Sequence, residues 1–271
     1  MSAGFALPSA ATYGLADFAG GLAARRAPVL TVTAVAQLSG LTVLVPAVLL
    51  LPGTFSAGAA GVGVLAGLAG ASGLLLYFRG LSVGPMGAVA PLSAVVAAGL
   101  PLLVDVVRGS RPGPLTIAGM VVALLAIVLA TGGSRRERAA LSGVLFGLAS
   151  GCGFGLFFVL LDLTPADSGL WPLVAGRVGS VALLLLLAAI RRPGLPGRPW
   201  LMIVSGVLDS AANVFFLLAT RSGSLGVTAV IVSLYPVAVV LLARMVLRER
   251  LSPVQLASVV MAVGASVAMS A

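Results

Sequence analysis

Long apolar runs alternate with short polar punctuation along almost the whole chain. Arg residues, Pro-Gly steps and Ser-Gly steps divide it into ten runs, at about 4–22, 30–51, 58–78, 83–106, 114–131, 140–161, 170–190, 200–219, 224–247 and 252–270. Each is close to the roughly 20 mostly apolar residues that a helix needs to cross a bilayer. The stretch from Ala27 to Phe78 carries no charge and divides only at Leu51-Pro52-Gly53-Thr54, where Pro and Gly break a helix. The runs are apolar on every side, whereas strands of a membrane barrel alternate apolar and polar positions. The pattern therefore predicts helices. The loops between them are short, and none can hold a soluble domain.

Composition sharpens this picture. Hydrophobic residues make up 60% of the 271 and charged residues 8%, against roughly 25% charged in a soluble domain. The mean hydropathy is +1.19. Lipid must solvate most of this surface. All 16 basic residues are Arg, and the net charge is +9. Without a basic stripe interleaved with aromatics, this excess does not predict a nucleic-acid partner. The chain has no His and one Cys, Cys152. That removes His-based triads and most zinc sites, so neither metal nor cofactor is expected. Cys152 reads as buried filler in a Gly-rich run. No basic stretch precedes the first apolar run, so a cleaved leader is not expected.

The two halves resemble each other. Tyr13-Gly-Leu-Ala-Asp-Phe matches Phe146-Gly-Leu-Ala-Ser-Gly, Arg79 and Gly84 match Arg221 and Gly226, and Pro114-Leu-Thr-Ile-Ala-Gly matches Pro253-Val-Gln-Leu-Ala-Ser. The matches run in order. The expected fold is all-α and integral to the membrane, with ten transmembrane helices in two inverted five-helix repeats, residues 1–133 and 140–271. An odd number of spans inverts the second copy, an arrangement found in secondary transporters. In the sixth run Gly143, Gly147, Gly151 and Gly155 fall on one helix face, which reads as close packing.

Twelve Arg flank the loops on one side of this layout: Arg25, Arg26, Arg79, Arg135, Arg136, Arg138, Arg191, Arg192, Arg198, Arg244, Arg248 and Arg250. Only Arg108, Arg111 and Arg221 flank the other. The positive-inside rule puts the first side in the cytoplasm and both termini outside.

Polar groups inside the spans are costly, so each calls for a reason. Asp17 lies in the first span with Tyr13 four residues earlier on the same face; Asp209 and Asn213 repeat that spacing in the eighth. Arg177 lies in the seventh span, with Gln37 as its approximate counterpart in the second. In the functional reading these residues line a wet cavity between the repeats. Asp17 or Asp209 could take up a proton on one side and release it on the other. Tyr13, Asn213 and Tyr235 would offer hydrogen bonds to a solute, and Arg177 would hold a carboxylate or balance an Asp. In the structural reading Arg177 simply pairs with Asp17 or Asp209 and ties helices together. Glu249, Asp105, Asp162 and Asp167 read as solvated ends and loops. Pro85, Pro91, Pro101 and Pro236 can bend their spans, which suits gating and is equally common in ordinary membrane helices.

Three segments, Tyr13-Gly-Leu-Ala-Asp-Phe-Ala-Gly-Gly, Ser233-Leu-Tyr-Pro236 and Leu247-Arg-Glu-Arg-Leu-Ser-Pro-Val-Gln255, together with the duplicated layout, resemble the EamA-type family of the drug/metabolite transporter superfamily. The chain departs from the family's pattern at Arg248, where Gly is usual, at Val107, where the first half lacks an acid matching Glu249, and at Gln37, where the family often has Arg. The family usually keeps both termini in the cytoplasm, opposite to the Arg count. The resemblance implies a secondary transporter in the cell (plasma) membrane, exporting a small organic metabolite, amino acid or drug, in many relatives with the proton gradient. A homodimer is compatible with it. No Gly-x-x-x-x-Gly-Lys-Ser/Thr loop exists, so ATP is not the direct energy source. A membrane-embedded lipid-modifying enzyme and a passive channel stand as alternatives; the scarcity of catalytic side chains argues against an enzyme.

Overall fold

A computed structural model describes residues 2–107, 109, 113–131, 138–194, 199–222, 232, 235–248 and 253–270. Ten α-helices run through them: α1 (Ser2–Ala24), α2 (Val29–Leu50), α3 (Ala57–Val83), α4 (Met86–Val107), α5 (Pro114–Thr131), α6 (Arg138–Asp162), α7 (Trp171–Arg191), α8 (Trp200–Ser222), α9 (Tyr235–Val246) and α10 (Pro253–Ser270). A single 3-10 turn, Ala166–Ser168, precedes α7. Gly226, Ser233, Leu234 and the stretch 249–252 lie outside the described residues, as does the whole of 132–137.

Local chemistry sets the ends. Ser56 caps α3 by accepting from the Ala59 amide at 3.4 Å, which satisfies one of the free amides of the first turn. The helix then runs to Val83, five residues past the apolar run predicted to end at Phe78, and stops at Gly84-Pro85. Arg79 does not end it, because a long basic side chain can extend outward while its stem stays on the helix; Arg79 is exposed. Pro172 stands in the first turn of α7, where its missing amide costs nothing.

Helices from the two halves interleave. α3 packs on α6 and α7, and α6 also on α4; α8 packs on α1 and α2; α2 meets α7; α9 lies on α1 and α4; and α10 lies on α5 and α4. The main apolar cluster draws Phe18 from α1, Leu74, Tyr77 and Phe78 from α3, Met86 and Val89 from α4, Met202 from α8 and Val239 from α9. The outward surface is apolar too: Leu49, Leu50, Ile190, Met245 and Val260 are all well exposed. Water would not solvate such a surface, and lipid does. Among the described residues, four helices are long and apolar enough to cross a membrane by length and composition: Val29–Leu50, Ala57–Val83, Leu141–Asp162 within α6, and Trp171–Arg191.

Small residues let the backbones touch. The α6 ridge lies along α3 and α4: Gly143 meets Gly84, Gly147 meets Val89, Gly151 meets Ser93 and Val96, and Gly155 meets Leu100. It is a packing surface, as its spacing predicts. Ser93 and Ser150 share a 2.8 Å hydrogen bond inside the same interface. Cys152, predicted to be buried, is exposed on α6 instead. It follows Gly151 by one residue, and that step turns it away from the ridge.

The two ends of the bundle are fastened differently. At one end Arg25 donates from Nε to the Leu81 carbonyl at 3.0 Å and from Nη2 to the Gly84 carbonyl at 3.1 Å. A guanidinium there answers the unpaired carbonyls at the C-terminus of α3. At the other end the α2–α3 and α6–α7 connections clasp. The Thr54 amide donates to the Asp167 carbonyl at 2.9 Å, the Thr54 hydroxyl donates to the Asp167 carboxylate at 3.0 Å, and Phe55 meets Trp171 edge to face at 5.3 Å. Asp167, expected to be merely solvated, thus links two connections while remaining exposed.

Candidate functional site

The polar groups that the sequence places inside apolar helices converge where α1, α2, α3, α7 and α8 meet. α7 contributes Arg177, whose side chain is only 10% exposed. Its guanidinium forks across three partners: Nη1 donates to Gln37 Oε1 on α2, and Nη2 donates to Asp209 Oδ2 at 2.7 Å and to Ser210 Oγ at 3.1 Å on α8. The planar guanidinium suits this role, because its donors point in fixed, divergent directions. Gln37 and Ser210 are buried. Of the two pairings open in the sequence, Arg177 takes Asp209.

Asp17 sits on α1 at the same junction. Tyr77, buried on α3, donates its hydroxyl to Asp17 Oδ2 at 2.8 Å. Nearby, the buried Ser205 hydroxyl donates to the Ala16 carbonyl at 2.8 Å and fastens α8 to α1. A cavity opens between these groups, lined by Ala16, Asp17, Ala36, Leu74, Phe78, Arg177, Ser205, Gly206 and Asp209. Its volume of about 10 Å³ holds about one water molecule.

The other nominated residues fall into two groups. Tyr13 and Tyr235 meet each other across α1 and α9, ring centroids 6.1 Å apart and tilted by 53°. Asn213 donates its amide to the Asp209 backbone carbonyl at 2.8 Å, one turn back on α8. It is spoken for by its own helix, so Asn213→Ala is expected to change stability by less than about 1 kcal/mol, read as a nearly unchanged melting temperature. Sequence reasoning passed over Tyr77, Ser205 and Ser210. Tyr77 had a signal: the chain has three Tyr, all within apolar runs, and it alone was not nominated. Among the described residues no three His, Cys, Asp or Glu side chains converge as metal ligands would.

A chain that is helical through its described residues, apolar outside, and holds Asp17, Arg177 and Asp209 within is built as a multi-pass membrane protein. Residues 141–271 match the EamA-like transporter family, the family that the sequence resembles. No curated protein matches the chain. Fourteen chains of solved structures do. One crystal structure superposes with a TM-score of 0.63 over 97% of this chain and 96% of its own, at 18% identity, and so shares the fold.

Proposed function

We propose that the protein is a secondary transporter that moves a small organic solute by alternating access, in exchange for protons and in the export direction, across the plasma membrane. Residues 1–133 and 140–271 form two inverted five-helix repeats in this reading, and a solute binds where they meet. The carrying observation is the cavity itself: Asp17 from the first half faces Arg177 and Asp209 from the second.

The helix pairings support the repeat. Adding five to each helix number of the first half, and subtracting five in the second, turns α3 on α6 into α8 on α1, α3 on α7 into α8 on α2, and α4 on α6 into α9 on α1, all of which occur. The closest crossings follow the same rule: Gly67 meets Gly176 and Gly206 meets Ala36, each one residue before Arg177 or Gln37. A cavity with room for about one water also fits a carrier caught between its open states, since an open pore would need a continuous wet path. A lipid-modifying enzyme would gather its carboxylates at a membrane face, whereas Asp17 and Asp209 line an internal cavity.

The test is flux into vesicles with an imposed pH gradient, using labelled amino acids, nucleosides and cationic drugs. Saturable flux that unlabelled solute on the far side accelerates is expected from the wild type. Asp17→Asn is expected to lower proton-driven flux about tenfold or more, because the amide binds no exchangeable proton. Undiminished proton-driven flux in both Asp17→Asn and Asp209→Asn would remove these residues from coupling, and flux that does not saturate would point to a channel.

A further inference from the structure

The charges around the cavity do not balance. Among the described residues Arg177 carries the one guanidinium lining it, and Gln37, Asp209 and Ser210 already take its donors. A solute carboxylate would have to displace Asp209 from a 2.7 Å ion pair. Asp17 stands opposite with Tyr77 as its hydrogen-bond donor and, among the described residues, no cationic partner. Ionised, the three groups sum to one negative charge, and that charge belongs to Asp17.

Among the described residues, the elements packed on α1 offer Asp17 no hidden cation. α8 presents Asp209, α9 presents Tyr235, α3 presents Tyr77, α2 presents Gln37 and α1 itself presents Tyr13. Arg79 of α3 is exposed. Arg25 stands just past the end of α1, eight residues on from Asp17 or roughly 12 Å at helical rise, and is engaged at the end of α3. Phe78 adds an aromatic wall to the cavity, a surface that accepts an organic cation as readily as an apolar group.

We infer that the solute is an organic ammonium ion, and that it and a proton compete for the Asp17 carboxylate. This rests on the transporter reading and names its substrate class. With a proton on Asp17 the site is neutral, because Asp209 and Arg177 cancel. When the ammonium ion binds, the Asp17 carboxyl releases its proton to solvent and the site is neutral again. The empty, ionised site carries a net charge, and reorienting it through a low-dielectric interior is costly. Exchange of proton for cation then follows from electrostatics alone, with no further coupling device.

The experiment compares three probes that share a phenyl-ethyl frame on the purified full chain: phenethylammonium, zwitterionic phenylalanine and 3-phenylpropionate. Phenethylammonium is expected to bind about tenfold or more tighter than 3-phenylpropionate, by titration calorimetry, and to release about one proton per bound cation into weakly buffered solution. Asp17→Asn is expected to lose both the preference and the proton release. Tighter binding of phenylalanine or 3-phenylpropionate, cation binding without proton release, or no binding of any probe overturns the proposal, and the wild-type comparison decides even if the variant folds poorly. Failure here is separable from failure of the transporter reading. Saturable, exchange-accelerated flux of an anionic or zwitterionic solute would keep the carrier and discard the ammonium class, while ammonium binding without any flux would do the reverse.

Discussion

Arg177→Met is expected to abolish solute flux and to lower the melting temperature by about 9 °C. The estimate starts from what the substitution leaves behind. Asp209 keeps its carboxylate, 27% exposed, without its ion partner, and Gln37 loses its donor. Stranding one member of such a pair costs about 3 kcal/mol, and a chain of this size loses roughly 3 °C per kcal/mol. Removing the second charge as well, in Arg177→Met with Asp209→Leu, should recover much of the stability, because two apolar residues need no partners. Flux should stay absent in the double variant if the charges also work. Arg177→Lys separates charge from shape. An ammonium keeps the charge but not the fork that reaches α2 and α8 together, so it should hold the Asp209 contact and leave Gln37 unpaired, with an intermediate melting temperature. Wild-type flux in Arg177→Met would reduce the residue to a structural tie.

How the site relates to the sequence follows from the range of each interaction. The apolar runs are readable as helices because each has the length of a bilayer span, and in the nine runs whose helix is described at both ends every boundary but the one at Phe78 lies within three residues. The limit at Phe78 failed because Arg79 was read as an end signal, while the helix needed Gly84-Pro85 to stop. Asp17, Arg177 and Asp209 were visible because a charge in an apolar run is rare. Their pairing was not: Asp17 and Asp209 were equal candidates for Arg177 until helix packing brought α7 against α2 and α3 and placed α8 beside α2. Asn213 reads as a pathway residue because its four-residue spacing from Asp209 puts both on one helix face, taken to line the cavity. The same spacing also lets a side-chain amide reach the carbonyl one turn back. The Thr54 to Asp167 clasp left no periodic trace, since each partner lies in an irregular connection.

The closest crossings should be the least tolerant places in the fold. Gly67→Ala or Gly206→Ala is expected to lower the melting temperature by about 9 °C, whereas Gly61→Ala on the same α3 helix should raise it by about 2 °C. A methyl at Gly67 would fall on the backbone of Gly176, and one at Gly206 on the carbonyl of Ala36. Neither obstacle is a flexible side-chain tip, so whole helices must part. Overpacking of this kind costs about 3 kcal/mol, at roughly 3 °C per kcal/mol. Gly61 has nothing within 4 Å of the added methyl, and there the helix gains from Ala about 0.8 kcal/mol of propensity. The position of the two crossings makes them informative about function as well. Gly67 presses against the residue before Arg177, and Gly206 against the residue before Gln37, so parting either pair moves one end of the Arg177–Gln37 bond. Flux should therefore fall in both variants by more than the fraction of unfolded protein explains, measured against folded protein in the same vesicles. Equal thermal stability of Gly67→Ala, Gly206→Ala and Gly61→Ala would mean that the helices do not cross as closely as the glycines imply, and the site between them would lose its frame.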